Sequence, residues 1–126
     1  MALVRIMIDP GHGGKDPGAV AHGLQEKHLT LDIAKRIKRT LESEYEGITV
    51  DMTRETDEYI SLTERANRAN RQDVDFFLSI HINAGGGTGF ESYRYAKSMT
   101  QSKVYQDIIH QEIVHALGDD VTDRGK

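Results

Sequence analysis

A chain of 126 residues is long enough for one domain with one core, and 29% charged with 37% hydrophobic residues is the balance of a folded protein rather than a disordered one. A net charge of −4 with no basic run argues against binding to nucleic-acid phosphates, and the lack of cysteine removes disulfides, thiolate metal sites and a cysteine nucleophile together. No apolar stretch approaches the ~20 residues of a membrane span, so membrane insertion is not expected.

Residues 3–8 form an apolar run that reads as a buried first strand. It enters directly, without the charged-then-apolar layout of a signal peptide. Asp9-Pro10-Gly11 then breaks regular structure, and a glycine loop is expected over residues 9–22. From 27 to 45 the period becomes helical, with Leu29, Ile33, Ile37 and Leu41 on one face and Gly47 as the stop. A short β-branched strand follows at 48–53. Ser61-Leu62-Thr63-Glu64 has the form of a capping box and opens a helix to Arg71, with Leu62, Ala66 and Ala69 inward. The apolar run at 75–82 reads as a central strand covered on both faces. A second glycine loop is expected at 85–89, a strand at 90–95, and a helix at 98–117 packed through Tyr105, Ile108, Ile109, Ile113 and Ala116. This order predicts a three-layer α/β fold with a mostly parallel, helix-flanked sheet.

Two histidines stand out. His12 follows one predicted buried strand, His81 stands at the end of another, and each adjoins a glycine loop. Strands of a parallel sheet deliver their C-terminal ends to one edge, where ligands bind. Glu26 lies where the first loop turns into the first helix. Two imidazoles and one carboxylate make a zinc site with an open position, and the same set also holds non-haem iron. On composition alone Glu26 reads first as a solvated or capping carboxylate near a helix N-terminus, and His22 and His28 flank it as alternatives for the third place. His110 and His115 are five apart on a helix and read as surface or core-edge residues. The first loop matches neither glycine-rich phosphate-binding fingerprint, since Asp16 stands where G-x-G-x-x-G needs glycine.

Ile8-Asp9-Pro10-Gly11-His12-Gly13-Gly14-Lys15-Asp16-Pro17-Gly18-Ala19 resembles the opening motif of the zinc-dependent N-acetylmuramoyl-L-alanine amidases of the amidase-3 family. Gly23-Leu24-Gln25-Glu26-Lys27 resembles their second motif. Thr53-Arg54 with Asp57, then Leu62 and Arg65 with Ala69-Asn70, are similar to a third region. Ser79-Ile80-His81-Ile82-Asn83-Ala84 is similar to a fourth, and Gly89-Phe90-Glu91-Ser92-Tyr93 to the strand after it. The resemblance covers the whole chain. It implies one catalytic domain over 1–126, with zinc on His12, Glu26 and His81. It also implies hydrolysis of the amide between N-acetylmuramic acid and L-alanine in peptidoglycan, at the bacterial cell wall, as in autolysins and phage endolysins. Arg54, Arg65 and Asn83 are expected to orient substrate or to brace the loops. The family continues beyond a segment like Asp123-Arg124-Gly125-Lys126 into further strands that carry its general-base glutamate. The expectation is therefore a domain incomplete at its C-terminus, with Glu91 as the stand-in carboxylate and an uncovered sheet edge open to self-association. A zinc-containing peptidoglycan-binding fragment of little or no activity is the alternative.

Overall fold

The computed structural model describes residues 3–83, 87–95, 97 and 100–126. The chain divides into two compact units, Met1–Ala84 and Gly85–Lys126.

The first unit contains β1 (Val4–Pro10), the short strands β2 (Val20–Ala21) and β3 (Leu24–Gln25), α1 (Glu26–Glu44), β4 (Ile48–Met52), α2 (Leu62–Arg71) and β5 (Phe76–Ile80). β4, β1 and β5 form a parallel sheet in that order, with Ile6 opposite both Val50 and Phe76 and Ile8 opposite both Met52 and Leu78. β2, at the end of the predicted loop, and β3, just past it, form a small antiparallel hairpin. The alternation of side chains along the strands divides the sheet into two faces. Ile6, Ile8, Val50 and Ile80 meet α1 through Ala34, Ile37 and Leu41, which is the apolar core of the unit. The centre of the α1 stripe is Glu26, Thr30 and Ala34, all buried, one position round from the predicted line of leucine and isoleucine. A sheet that winds outward from β1 in both directions reverses its order at β1 and β5, and ligand crevices form at such a reversal.

The other face carries charge where the sequence predicted carbon. Asp9 and Arg65 are 5% and 4% exposed and pair at 2.8 Å. Thr53 and Ser79 each donate a hydroxyl to the Asp9 carboxylate, both at 2.7 Å. The capping box forms its first arm, Glu64 N–H to Ser61 Oγ at 3.1 Å. The Glu64 carboxylate instead accepts from Arg68 and Arg71. α2 is thus turned so that Arg65 points inward. Leu62 is 83% exposed and lines an open groove of about 280 Å³ with Ala66, Ala69 and Phe77. β5 pairs only with β1 among the described residues, and Phe77 on it is exposed. The central strand is β1, not the run at 75–82.

In the second unit, α3 (Thr100–Leu117) stands against a segment that is not a regular strand. Residues 98 and 99 of the predicted helix, and 85 and 86 of the second glycine loop, lie outside the described residues. Phe90 N–H donates to Thr122 C=O and Arg124 N–H to Phe90 C=O, both at 2.8 Å, an isolated parallel bridge in place of the expected strand. His110 is buried, not at the surface or core edge. Its Nδ1 lies 2.8 Å from Ser92 Oγ and its Nε2 2.8 Å from Asp123 Oδ1. Ile108, expected in the packing face, is 56% exposed. No helix among the described residues is long and apolar enough to cross a membrane.

Removing one partner of a buried ion pair strands the other charge, at a cost of about 3–5 kcal/mol. Arg65→Met should lose stability in that range in urea unfolding. The Asp9→Asn, Arg65→Met double variant should lose less than the sum of the two singles, as expected for residues in direct contact.

Candidate metal centre

β1 ends at Pro10, and the chain then leaves the sheet with three carbonyls turned inward. Two arginines receive them. Arg54, 1% exposed, donates Nε to Pro10 C=O at 3.1 Å and Nη2 to Gly11 C=O at 2.9 Å and Lys27 C=O at 2.9 Å. Arg65 donates Nη1 to Pro10 C=O at 2.7 Å and Nη2 to His12 C=O at 2.8 Å. Thr30 adds its hydroxyl to Gly11 C=O at 2.8 Å. The loop closes on itself where Gly13 and Asp16 exchange two backbone hydrogen bonds. Gly13 sits at φ 133° with its Cα directly on the Glu58 carbonyl, so that a Cβ there would come within 2.0 Å of that oxygen. His12 itself is held at φ 65°, a left-handed conformation costly for a non-glycine residue.

This loop also caps the helix. α1 has no side-chain cap at Gln25; the Glu26 and Lys27 N–H groups donate instead to Ala19 C=O at 2.8 Å and Pro17 C=O at 3.1 Å. Glu26 is consequently the first helical residue, buried, with its carboxylate back against the loop. Ala19 N–H donates to Oε1 at 3.0 Å and Ile82 N–H to Oε2 at 2.9 Å. The Ile82 donor lies just past β5, beside His81.

His12 Nε2 lies 3.0 Å from Glu26 Oε2, and His81 Nδ1 lies 3.2 Å from the same oxygen. The two rings meet edge to face with centroids 5.0 Å apart. One ligand atom from each of His12, Glu26 and His81 falls within 4.8 Å of the others. Two ligand atoms about 2.1 Å from a tetrahedral ion sit roughly 3.4 Å apart, close to the 3.0 and 3.2 Å separations of the two imidazole nitrogens from Glu26 Oε2. The exposures form a gradient, with Glu26 buried, His12 a quarter exposed and His81 41% exposed, so the group opens on the His81 side. Burial pushes the Glu26 carboxyl up, but the Ala19 and Ile82 N–H donors and the neighbouring imidazoles outweigh it and hold the group below its ordinary value. Asp16, hydrogen-bonded by the His12 ring, is also held below the usual carboxylate range.

The sequence profile of the N-acetylmuramoyl-L-alanine amidase family matches residues 6–126. The chain belongs to this family. It is 53% identical over 124 residues to the sporulation-specific N-acetylmuramoyl-L-alanine amidase of Bacillus subtilis strain 168, covering 98% of this chain and 48% of that protein. It is 45% identical over 115 residues to the endolysin of Bacillus phage SPP1, covering 86% of this chain and 42% of the endolysin. The solved structure of an N-acetylmuramoyl-L-alanine amidase from Clostridium difficile 630 superposes with a TM-score of 0.92 at 37% identity, over 99% of this chain and 69% of that one. The chain spans about half the length of the curated relatives it matches. The amidase-family match runs through both compact units.

Of the residues singled out in the sequence, His12, Glu26 and His81 meet at one point, while His22 and His28 are not in that group. Arg54 and Arg65 are buried and hydrogen-bond the loop carbonyls. Asn83 is exposed two residues after His81. Glu91 belongs to the second unit, with Arg124 Nε at 3.9 Å from its carboxylate. The Asp16 contact to His12 was missed, although an i, i+4 spacing of histidine and aspartate inside a glycine loop was there to be read.

A carboxyl held low in the folded state stabilises it above the unfolded value and loses that contribution as pH falls through the folded value. In the metal-free protein the stability gap between the parent chain and Glu26→Gln should therefore be largest above the ordinary glutamate value of 4.5 and should shrink as pH falls below it. Denaturant unfolding across that interval measures it.

Proposed function

We propose that this chain is the metal-binding part of a zinc-dependent amidase. In this reading it hydrolyses the amide between N-acetylmuramic acid and the L-alanine of the peptidoglycan stem. The observation that carries it is the convergence of His12 Nε2, Glu26 Oε2 and His81 Nδ1, in a chain of the N-acetylmuramoyl-L-alanine amidase family. The donor set supports zinc: two imidazoles, one carboxylate, no thiolate, and an open side. Zinc bound there lowers the pKa of its water to about 7 and polarises a carbonyl oxygen.

The chain's own residues do the positioning. The Ala19 and Ile82 N–H groups fix both oxygens of Glu26, so its carboxylate is oriented before any ion arrives. The arginine-held carbonyls of residues 10–12 fix the backbone from which His12 reaches in. The exposed ring of His81 marks the side from which a bulky glycan-linked peptide approaches, and Asn83 lies on that segment to orient it. Departure of the amide nitrogen requires a proton donor, typically worth 10²–10⁴-fold. Glu91 faces Arg124, and we assign it no step. The similarity to a sporulation amidase and a phage endolysin supports action at the bacterial cell wall.

The test is direct. The chain should bind one zinc per molecule, and His12→Ala or His81→Ala should abolish stoichiometric binding. Purified peptidoglycan treated with the zinc-loaded chain should gain free L-alanine amino groups, and a chelator should stop this. Full zinc occupancy in both histidine variants would sink the ligand assignment.

Gly11 offers a finer probe. A Cβ at this position would lie 2.4 Å from His81 Cε1. The His81 ring is partly exposed and has room to swing outward. Gly11→Ala should therefore weaken zinc binding while leaving the melting temperature within a few degrees of the parent, a contrast that isothermal titration and thermal unfolding resolve together.

A further inference from the structure

The two buried arginines hold the carbonyls of residues 10–12. The next part of the loop is held by a different device, built on Asp57, which is not among the three converging residues. Gly14 stands two residues past His12, at φ 57°. It lies so close on the segment after β4 that a Cβ there would come within 2.7 Å of the Tyr59 nitrogen. Both of its backbone polar groups are taken. Its N–H donates to Asp57 Oδ1 at 2.8 Å, and its C=O accepts from Lys27 Nζ at 3.0 Å. The ring closes because the same ammonium donates to Asp57 Oδ2 at 2.8 Å. Lys27 follows Glu26 in the first turn of α1, and its side chain is only 12% exposed. Its main chain is fixed as well, N–H to Pro17 C=O at 3.1 Å and C=O from Arg54 Nη2 at 2.9 Å. The clamp thus joins the His12 loop, the start of α1 and the segment after β4. The first two of these also meet in the metal group, where His12 Nε2 and Glu26 Oε2 are 3.0 Å apart. A carboxylate suits the place, since one oxygen takes the amide while the other takes the ammonium in a charge-assisted bond.

We propose that Asp57, together with Lys27, is a positioning residue of the metal centre, clamping Gly14 so that the His12 loop keeps its spacing from Glu26. Asp57 acts through the backbone of Gly14, and Lys27 ties that backbone to the helical turn that carries Glu26. The consequence for zinc rests on the reading above, while the clamp itself belongs to the metal-free chain.

Asp57→Ala removes both arms of the carboxylate, and Lys27→Met keeps an unbranched stem without the ammonium. An ion pair with one partner 42% exposed adds little to global stability, so both variants should melt within a few degrees of the parent. In the metal-free chain the Gly14 amide should exchange with solvent faster in Asp57→Ala. Competition with a chromophoric chelator should show zinc held about tenfold more weakly by each variant. The double variant should lose less than the product of the two single losses, because both arms serve one clamp. With cobalt as the probe, the visible absorption bands should move, since they report ligand geometry and not global stability. Asp32→Ala breaks an exposed ion pair with Arg36 on α1 and should leave all three readings at parental values. Should Asp57→Ala not fold, Asp57→Asn carries the test: it keeps an acceptor for Gly14 N–H, offers Lys27 only a neutral amide, and should also weaken zinc. Parental zinc affinity and cobalt bands in the variants overturn the proposal, even with faster Gly14 exchange. Unchanged Gly14 exchange in Asp57→Ala overturns it too. A parent chain that binds no zinc sinks the zinc reading itself, a result distinct from parent and variants that bind it alike.

Discussion

Where β1 stops, the chain has three carbonyls to satisfy in a place that water does not reach. This is the constraint on which the site depends. A buried carbonyl without a donor costs about 1–3 kcal/mol, and a left-handed His12 adds strain of similar size. Arg54 and Arg65 meet the demand because a guanidinium offers five N–H donors in one plane. A lysine at either position would carry the charge but not the fork. The arrangement has its own cost, since burial pushes the Arg54 group down and the nearby Arg65 charge adds to this. Asp9 between the strands and the helix offsets part of this, pairing with Arg65.

The same demand explains why a polar network lies beneath the sheet where an apolar core was expected. Asp9, Thr53, Ser79 and Arg65 are joined by hydrogen bonds, Arg54 shares the Pro10 carbonyl with Arg65, and no buried side-chain polar atom among the described residues lacks a partner. The network trades some packing for a rigid backbone at the end of β1. A metal ligand carried on flexible loop would have to be ordered when the ion binds. Here the ordering is complete in folding, and the glycine loop doubles as the cap of α1, so the turn that carries His12 also seats Glu26 at the first helical position.

Much of this was legible as pattern. The period of residues 27–45, the glycine loop after the first strand and the two strand-end histidines located the elements and two of the three converging groups. Glu26 was not separable from His22 and His28 by composition; the family resemblance selected it. What pattern could not give was orientation. Leu62, Ala66 and Ala69 form an apolar line on α2, yet Arg65 faces the sheet, because the unsatisfied Pro10 and His12 carbonyls and the Asp9 carboxylate offer a guanidinium more than the sheet offers a leucine. The run Phe76-Phe77-Leu78-Ser79-Ile80 looked central on hydrophobicity, but strand position is set by pairing, and β1 is the one that pairs on both sides. In the second unit His110 is buried because Ser92 and Asp123 occupy both of its ring nitrogens, contacts 18 and 13 residues away that no local period reveals.

The three converging groups come from different parts of the first unit: the loop after β1, the first turn of α1 and the end of β5. An ion held by all three is therefore tied to the folding of that whole unit and not to one loop. A ligand that binds only the folded state stabilises it by about 4 kcal/mol at a thousand times its dissociation constant, which is comparable with the loss of a buried ion pair. The group is compact, with the two imidazole nitrogens 3.0 and 3.2 Å from Glu26 Oε2, and backbone donors fix both oxygens of that carboxylate. Little rearrangement is left for the ion to drive. An ion held there would tie β1, α1 and β5 together, with His81 as its link to β5.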